Sequence, residues 1–158
     1  MPSTLNLSWQ DQLSEEFIAY AQGQKIDGVE CIVPDLVGTS RGKTMPTIKF
    51  NPHVEMALPV SLFFQTISGE YVDMDIENQW LEKDVVLKAD MQTACAIPWA
   101  DDVSLQVICD MINRDGTPLA IAPRTILKNV LQAYADKGLT HVIAPELEFY
   151  LTTPYLDP

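Results

Sequence analysis

The chain has 158 residues, 47% of them hydrophobic, which is enough to bury the core of one domain, or of one and part of another. Its net charge of −12 argues against nucleic acid and anionic membrane as partners, because both are held by basic patches, and suits a protein that holds cations. No apolar run reaches the ~20 residues of a membrane helix, and the amino terminus has neither a basic nor an apolar signal region, so the expectation is a globular cytoplasmic protein.

SWQDQLSEEFIAYAQGQ, residues 8–24, predicts an amphipathic helix with Leu13, Phe17, Ile18 and Ala21 on one face, Ser8 or Asp11 as its cap and Gly23 at its end. Two β segments follow at 28–34 and 44–50, joined as a hairpin by a loop containing Gly38 and Gly42. Between 51 and 82 the pattern is weaker, with a short helix at 52–57, then LPVSLFF, then an acidic stretch expected to be irregular. Strands are predicted at 84–90 and 103–112, with a turn at Asn113–Gly116, where Asp-Gly accommodates positive φ. Pro123 suits the first turn of a helix carrying Ile126, Leu127, Val130, Leu131 and Tyr134 at helical spacing, and Gly138 caps it. The last predicted element is a strand, THVIAPELEFYL.

Cys31, Cys95 and Cys109 are far apart, lack metal-ligand spacing and stand among apolar neighbours, which predicts buried free thiols. His53 sits in a loop and His141 begins a strand, so neither zinc binding nor histidine acid–base chemistry is expected. Arg41 and Lys43 read as hairpin charges rather than phosphate ligands, Trp99 as a packing anchor after Pro98, Arg124 as a helix-start or interface residue, and Asp110 and Asp115 as turn residues.

Glu146 and Glu148 are two apart, so on a strand both carboxylates project from one face about 6.6 Å from each other, while Leu147 and Phe149 point the other way. Burying such a pair uncompensated costs several kcal/mol or raises the pKa values, and a hard divalent cation such as Mg²⁺ or Mn²⁺ relieves it. An edge strand with its polar face in water explains the spacing as well. The spacing alone leaves both open.

PELEFYL resembles the strand that opens the catalytic domain of the glutamine synthetase family, whose E-x-E-F pair coordinates the active-site metals. DLVGTSRGKTMP resembles that family's D-x-x-G-x-x-R-G-K-x-x-P hairpin. KDVVLKADMQTACAIPWA resembles its D-x-x-L-x-P-D…P-W segment, with Ala89 where proline is usual, and VICDMINRDGTPLAIAPRTILKNVL resembles its C-D…D-G-x-P…P-R-x-x-L strand, turn and helix. The motifs fall in the family's order over roughly residues 28–151.

The resemblance implies an α+β chain: a β-grasp domain over 23–118 after an amino-terminal helix in 1–22, then the first helix and strand of a catalytic domain in 119–158. It implies an ATP-dependent ligase that activates the γ-carboxyl of glutamate as an acyl phosphate and transfers it to an amine, using Mg²⁺ or Mn²⁺. Glu146 and Glu148 would be metal ligands, no residue here would act covalently, and the assembly would be a homo-oligomeric ring, a dodecamer. L-P-x-S-x-F, R-G-K and I-P-W resemble the branch that joins glutamate to putrescine or a similar polyamine; residues 63–75, FFQTISGEYVDMD, lack the F-D-G-S-S of ammonia-using members. Glu70, Asp73, Asp75 and Glu77 would then attract a cationic amine from the neighbouring subunit. The nucleotide site, further metal-binding glutamates and a glutamate-binding arginine would lie beyond residue 158, so these residues alone are expected to lack ligase activity. The alternatives are an ammonia-using glutamine synthetase and a non-catalytic β-grasp interaction module.

Overall fold

The computed structural model describes residues 9–52, 56–66, 68–71 and 83–153. His53, Asp73, Asp75 and Glu77 lie outside the described residues.

The architecture is a mixed sheet whose strands are β1 (Gly28–Pro34), β2 (Ser40–Pro46), β3 (Met56–Pro59), β4 (Asp84–Ala89), β5 (Cys95–Ala96) and β6 (Ser104–Ile112). Their spatial order is β2-β1-β6-β4-β3, and β5 shares β4's side of β6. β6 is the spine: β1 runs parallel along its first half, β5 pairs antiparallel at Leu105 and Gln106, and β4 takes over antiparallel from Cys109 to Ile112.

The sequence of β6, SLQVICDMI, explains this central place. Leu105, Val107, Cys109 and Met111 alternate onto one buried face and meet Val29, Cys31 and Val33 of β1, while Gln106, Ile108 and Asp110 face the other side, half-buried. The alternation has the strand period of two, and burying each of these side chains contributes about 1.5–3 kcal/mol. Phe50, Val60, Leu62, Phe63 and Leu119 complete the same core.

The predicted helix at the amino end is split. A 3-10 turn, Trp9–Gln12, precedes helix α1 (Glu15–Ala21), because Ser14 leaves helical space (φ −68, ψ 152) to accept the Phe17 N–H at 3.1 Å and so becomes the cap in place of Ser8 or Asp11. Gln22 and Gly23 at positive φ end α1. Phe17 and Ala21 bury against the core, whereas Ile18 is exposed.

Several other boundaries move. The second strand of the hairpin runs from 40 to 46 rather than 44 to 50, which places Gly42 inside the strand. Residues 56–57, expected in a helix, open β3, and VSLFF forms a buried 3-10 helix, Val60–Phe64. Helix α2 (Pro123–Ala135) begins and ends as predicted, with Gly138 at φ 67 and the Leu139 N–H bonded to the Tyr134 carbonyl at 3.0 Å. Residues 139–153 carry no strand and are exposed throughout, contrary to the strand expected there. A strand exists through its ladder, and no neighbouring strand pairs with this segment among the described residues; Pro145 also lacks a donor. No helix among the described residues is long and apolar enough to cross a membrane.

Candidate functional site

The D-x-x-G-x-x-R-G-K motif builds the turn between β1 and β2. The Asp35 carboxylate is buried, accepts the Val37 and Thr39 N–H groups at 3.0 and 2.8 Å, and accepts Arg41 Nε at 2.9 Å. Burial pushes that carboxyl up, but the Arg41 guanidinium and the two amides outweigh it and hold it below the usual carboxylate range. Arg41 Nη2 is buried with no hydrogen-bond partner among the described residues. Lys43 Nζ donates to the Ala57 carbonyl at 2.7 Å, tying the hairpin to β3. Arg41 and Lys43 therefore have structural partners, as their hairpin position suggested.

A second cluster joins two of the quoted motifs. Arg124 in the first turn of α2 donates through Nε to Asp110 at 2.7 Å and through Nη2 to Asp90; Lys128, one turn later, reaches Asp110 at 2.5 Å. Asp110 thus serves not the turn but the attachment of α2 to β6. Burial pushes its carboxyl up, yet Lys128 and Arg124 outweigh this and hold it below the usual range. Asp115 does serve the turn, accepting the Thr117 N–H at 2.9 Å. Sequence reasoning missed the cluster, although two signals were present: Asp110 has the opposite strand parity from buried Cys109 and Met111, and Arg124 and Lys128 share a helix face.

Trp99, expected to anchor packing, is 76% exposed. Cys31 and Cys109 are buried free thiols, while Cys95 is exposed. The adjacent Cys31 thiol, with burial, pushes the Cys109 thiol up, so neither geometry nor acidity marks it as a nucleophile. His141 meets the Tyr134 ring edge-on at 6.5 Å.

Glu146 and Glu148 lie in the exposed segment after α2, which forms no helix or strand. Their donor chemistry suits a hard cation, but two carboxylates supply only part of such a shell, and no group of three or more His, Cys, Asp or Glu residues that could hold a metal occurs among the described residues. Glu70 is exposed on a tight reverse turn, with the Thr66 N–H bonded to its carbonyl at 2.7 Å and Gly69 at φ 87.

Residues 120–155, which include both glutamates, match the family model for the glutamine synthetase catalytic domain. The glutamine synthetase of Halobacterium salinarum is 32% identical over 133 residues, covering 82% of this chain and 27% of that protein. The gamma-glutamylputrescine synthetase of Escherichia coli is 30% identical over 128 residues, covering 78% of this chain and 26% of that protein. In fold, the crystal structure of a novel glutamine synthase homolog superposes with a TM-score of 0.60 at 20% identity over 72% of this chain and 28% of its own. The chain thus spans about a quarter of the length of the curated relatives it matches.

Proposed function

We propose that this chain, related to the glutamine synthetase family, forms the amino-terminal part of an ATP-dependent ligase that joins the γ-carboxyl of glutamate to an amine, with putrescine or a similar polyamine as that amine. The observation that carries the reading is the position of Glu146 and Glu148 inside the 36-residue stretch, 120–155, that matches the catalytic-domain family. In this reading residues 23–118 are the β-grasp domain and residues from 119 onward open the catalytic domain.

The two glutamates act electrostatically in this reading. Mg²⁺ or Mn²⁺, when bound, neutralises the charge that gathers on a transferred phosphoryl group. Glu146 and Glu148 would be the residues that hold the ions, each a ligand of a different one, and would perform no covalent step. Glu70, with Asp73 and Asp75, draws the cationic amine towards the site of a neighbouring subunit in a homo-oligomeric ring, since a carboxylate in water still raises the local concentration of a diamine. The 158 residues by themselves are expected to lack ligase activity in this reading, because two carboxylates supply only part of a divalent cation's shell and no group of three or more such ligands occurs among the described residues.

The similarity to the glutamine synthetase of Halobacterium salinarum favours ammonium as the alternative amine, and the two identities, 32% and 30%, do not separate the choices. The absence of F-D-G-S-S from residues 63–75 supports the polyamine.

The test uses a protein of the relatives' full length that carries this chain. Glu146→Gln and Glu148→Gln should each lower ATP-dependent phosphate release by about a hundredfold, equivalent to about 2.7 kcal/mol, and should raise the Mg²⁺ concentration needed for half-maximal rate. Unchanged rates and unchanged Mg²⁺ dependence in both variants would remove the metal-ligand role.

A further inference from the structure

We propose that Arg124 is a positioning residue: with Lys128 it latches helix α2 to the sheet through Asp90 and Asp110, and this ionic latch, not apolar packing, sets the direction in which the chain leaves the sheet towards Glu146 and Glu148. That the segment so aimed is a metal-binding one rests on the ligase reading; the latch itself does not.

Three observations carry it. First, α2 buries no residue fully: of its apolar stripe, Ile126, Leu127, Val130 and Tyr134 are each between 44% and 48% exposed and Leu131 is half-buried. Second, an open surface depression of about 220 Å³ lies beside the first turn of the helix, with Ile32, Ile108, Pro123, Leu127 and Arg124 itself in its lining, so water reaches the apolar seam next to the ion network. Apolar side chains that face such an opening make fewer dispersion contacts than those of a closed core. Third, the charged side chains do close. Arg124 spans two carboxylates from two strands, Asp90 just after β4 and Asp110 on β6, and Lys128 takes the second oxygen of Asp110. The Arg124 side chain is 20% exposed and the two aspartates 24% and 25%, so this network is less screened than a solvated surface pair. A planar guanidinium that bridges two fixed carboxylates also defines an angle, which a single lysine pair does not.

Downstream the path is short. α2 is a single helix to Ala135, the Leu139 N–H closes on the Tyr134 carbonyl, and His141 rests edge-on against Tyr134. Only residues 142–145 then separate this fixed point from Glu146. Rotation of the helix about its first turn would swing the acidic pair with it.

The experiment measures the distance between α2 and the sheet in the 158-residue chain. Spin labels are placed on the exposed native Cys95 of β5 and on an Ala133→Cys variant in α2, with Cys31 and Cys109 buried and unlabelled. The expected result is one narrow distance distribution at low salt. It should widen in Arg124→Ala and in Asp110→Asn, which keeps the size of the side chain and removes its charge; Arg124→Lys, which keeps the charge without the fork, should fall between. A narrow distribution that persists in both Arg124→Ala and Asp110→Asn, each with the far-ultraviolet circular dichroism of the parent chain, would overturn the latch. Asp110→Asn leaves Arg124 in place, so an Arg124 variant that misfolds does not obscure the answer. The distance does not depend on ligase activity: a longer protein silent with every amine would remove the ligase reading and leave the latch to be judged by the distances alone.

Discussion

Gly42 shows how a motif position acquires its reason only in three dimensions. Its φ is not positive, yet a Cβ built there would stand 2.1 Å from the Cys31 carbonyl oxygen on the paired strand, so no side chain fits without parting β1 from β2. Gly42→Ala should therefore cost about 3 kcal/mol or more, read as a lower midpoint in urea, and an unchanged midpoint would show that the strands separate more easily than the structure implies. Asp35 organises the same hairpin. Asp35→Asn should destabilise by about 2 kcal/mol at neutral pH, because the Arg41 guanidinium loses its anionic partner. The sign with pH follows from the depressed carboxyl: its contribution is full above the unfolded value of about 3.9 and is lost as pH falls through the lower folded value. The gap in stability between wild type and variant should close in that acid window, and a gap that stayed constant to pH 2 would assign Asp35 a packing role instead. Arg41 and Lys43 were legible as hairpin charges and Asp35 only as the first residue of a quoted motif; the buried Asp35–Arg41 geometry was not legible, because sequence spacing does not reveal which charge folds inward.

At the scale of elements, the strands rich in Val, Ile and Leu were read within a residue or two: β1 and β6 alternate in burial, and β4 carries a run of three buried residues, Val85, Val86 and Leu87. β2 was misplaced because SRGKTMP is too polar to announce itself; as an edge strand it has exposed faces and takes its register from β1. The helix at 8–22 was read as one because its apolar spacing is continuous, but Ser14 competes for the backbone and caps a shorter helix. Ser14→Ala should lower stability by about 1 kcal/mol, measured as a fall in melting temperature, whereas no change would mean that the Phe17 N–H finds water at no cost. The terminal strand failed for a different reason. E-x-E-F-Y-L has strand propensity, but propensity becomes structure only where another strand accepts the hydrogen bonds. The ion cluster of Asp90, Asp110, Arg124 and Lys128 escaped notice because its members lie 38 positions apart at the extremes and only the sheet brings them together.

At the scale of the whole molecule, one buried face of a mixed sheet carries α1 and the core, and the other face receives α2, whose apolar stripe is still half-exposed. The chain's charge of −12, its exposed acidic pair and its similarity to a glutamine synthetase and a gamma-glutamylputrescine synthetase all bear on the proposed reading, in which carboxylates gather cations around a phosphoryl transfer. The pair Glu146 and Glu148 was legible from sequence as a candidate; their surroundings were not, because a metal shell is a property of several chain segments at once. The measurement that tests this reading most directly is ATP-dependent phosphate release by a protein of the relatives' full length carrying these residues, with glutamate, Mg²⁺ and a panel of ammonium, putrescine, spermidine and monoamines, beside the 158-residue chain. The account predicts turnover with a polyamine well above that with ammonium, and none from the 158 residues alone. Preference for ammonium would contradict the choice of amine, and silence with every amine would contradict the ligase itself.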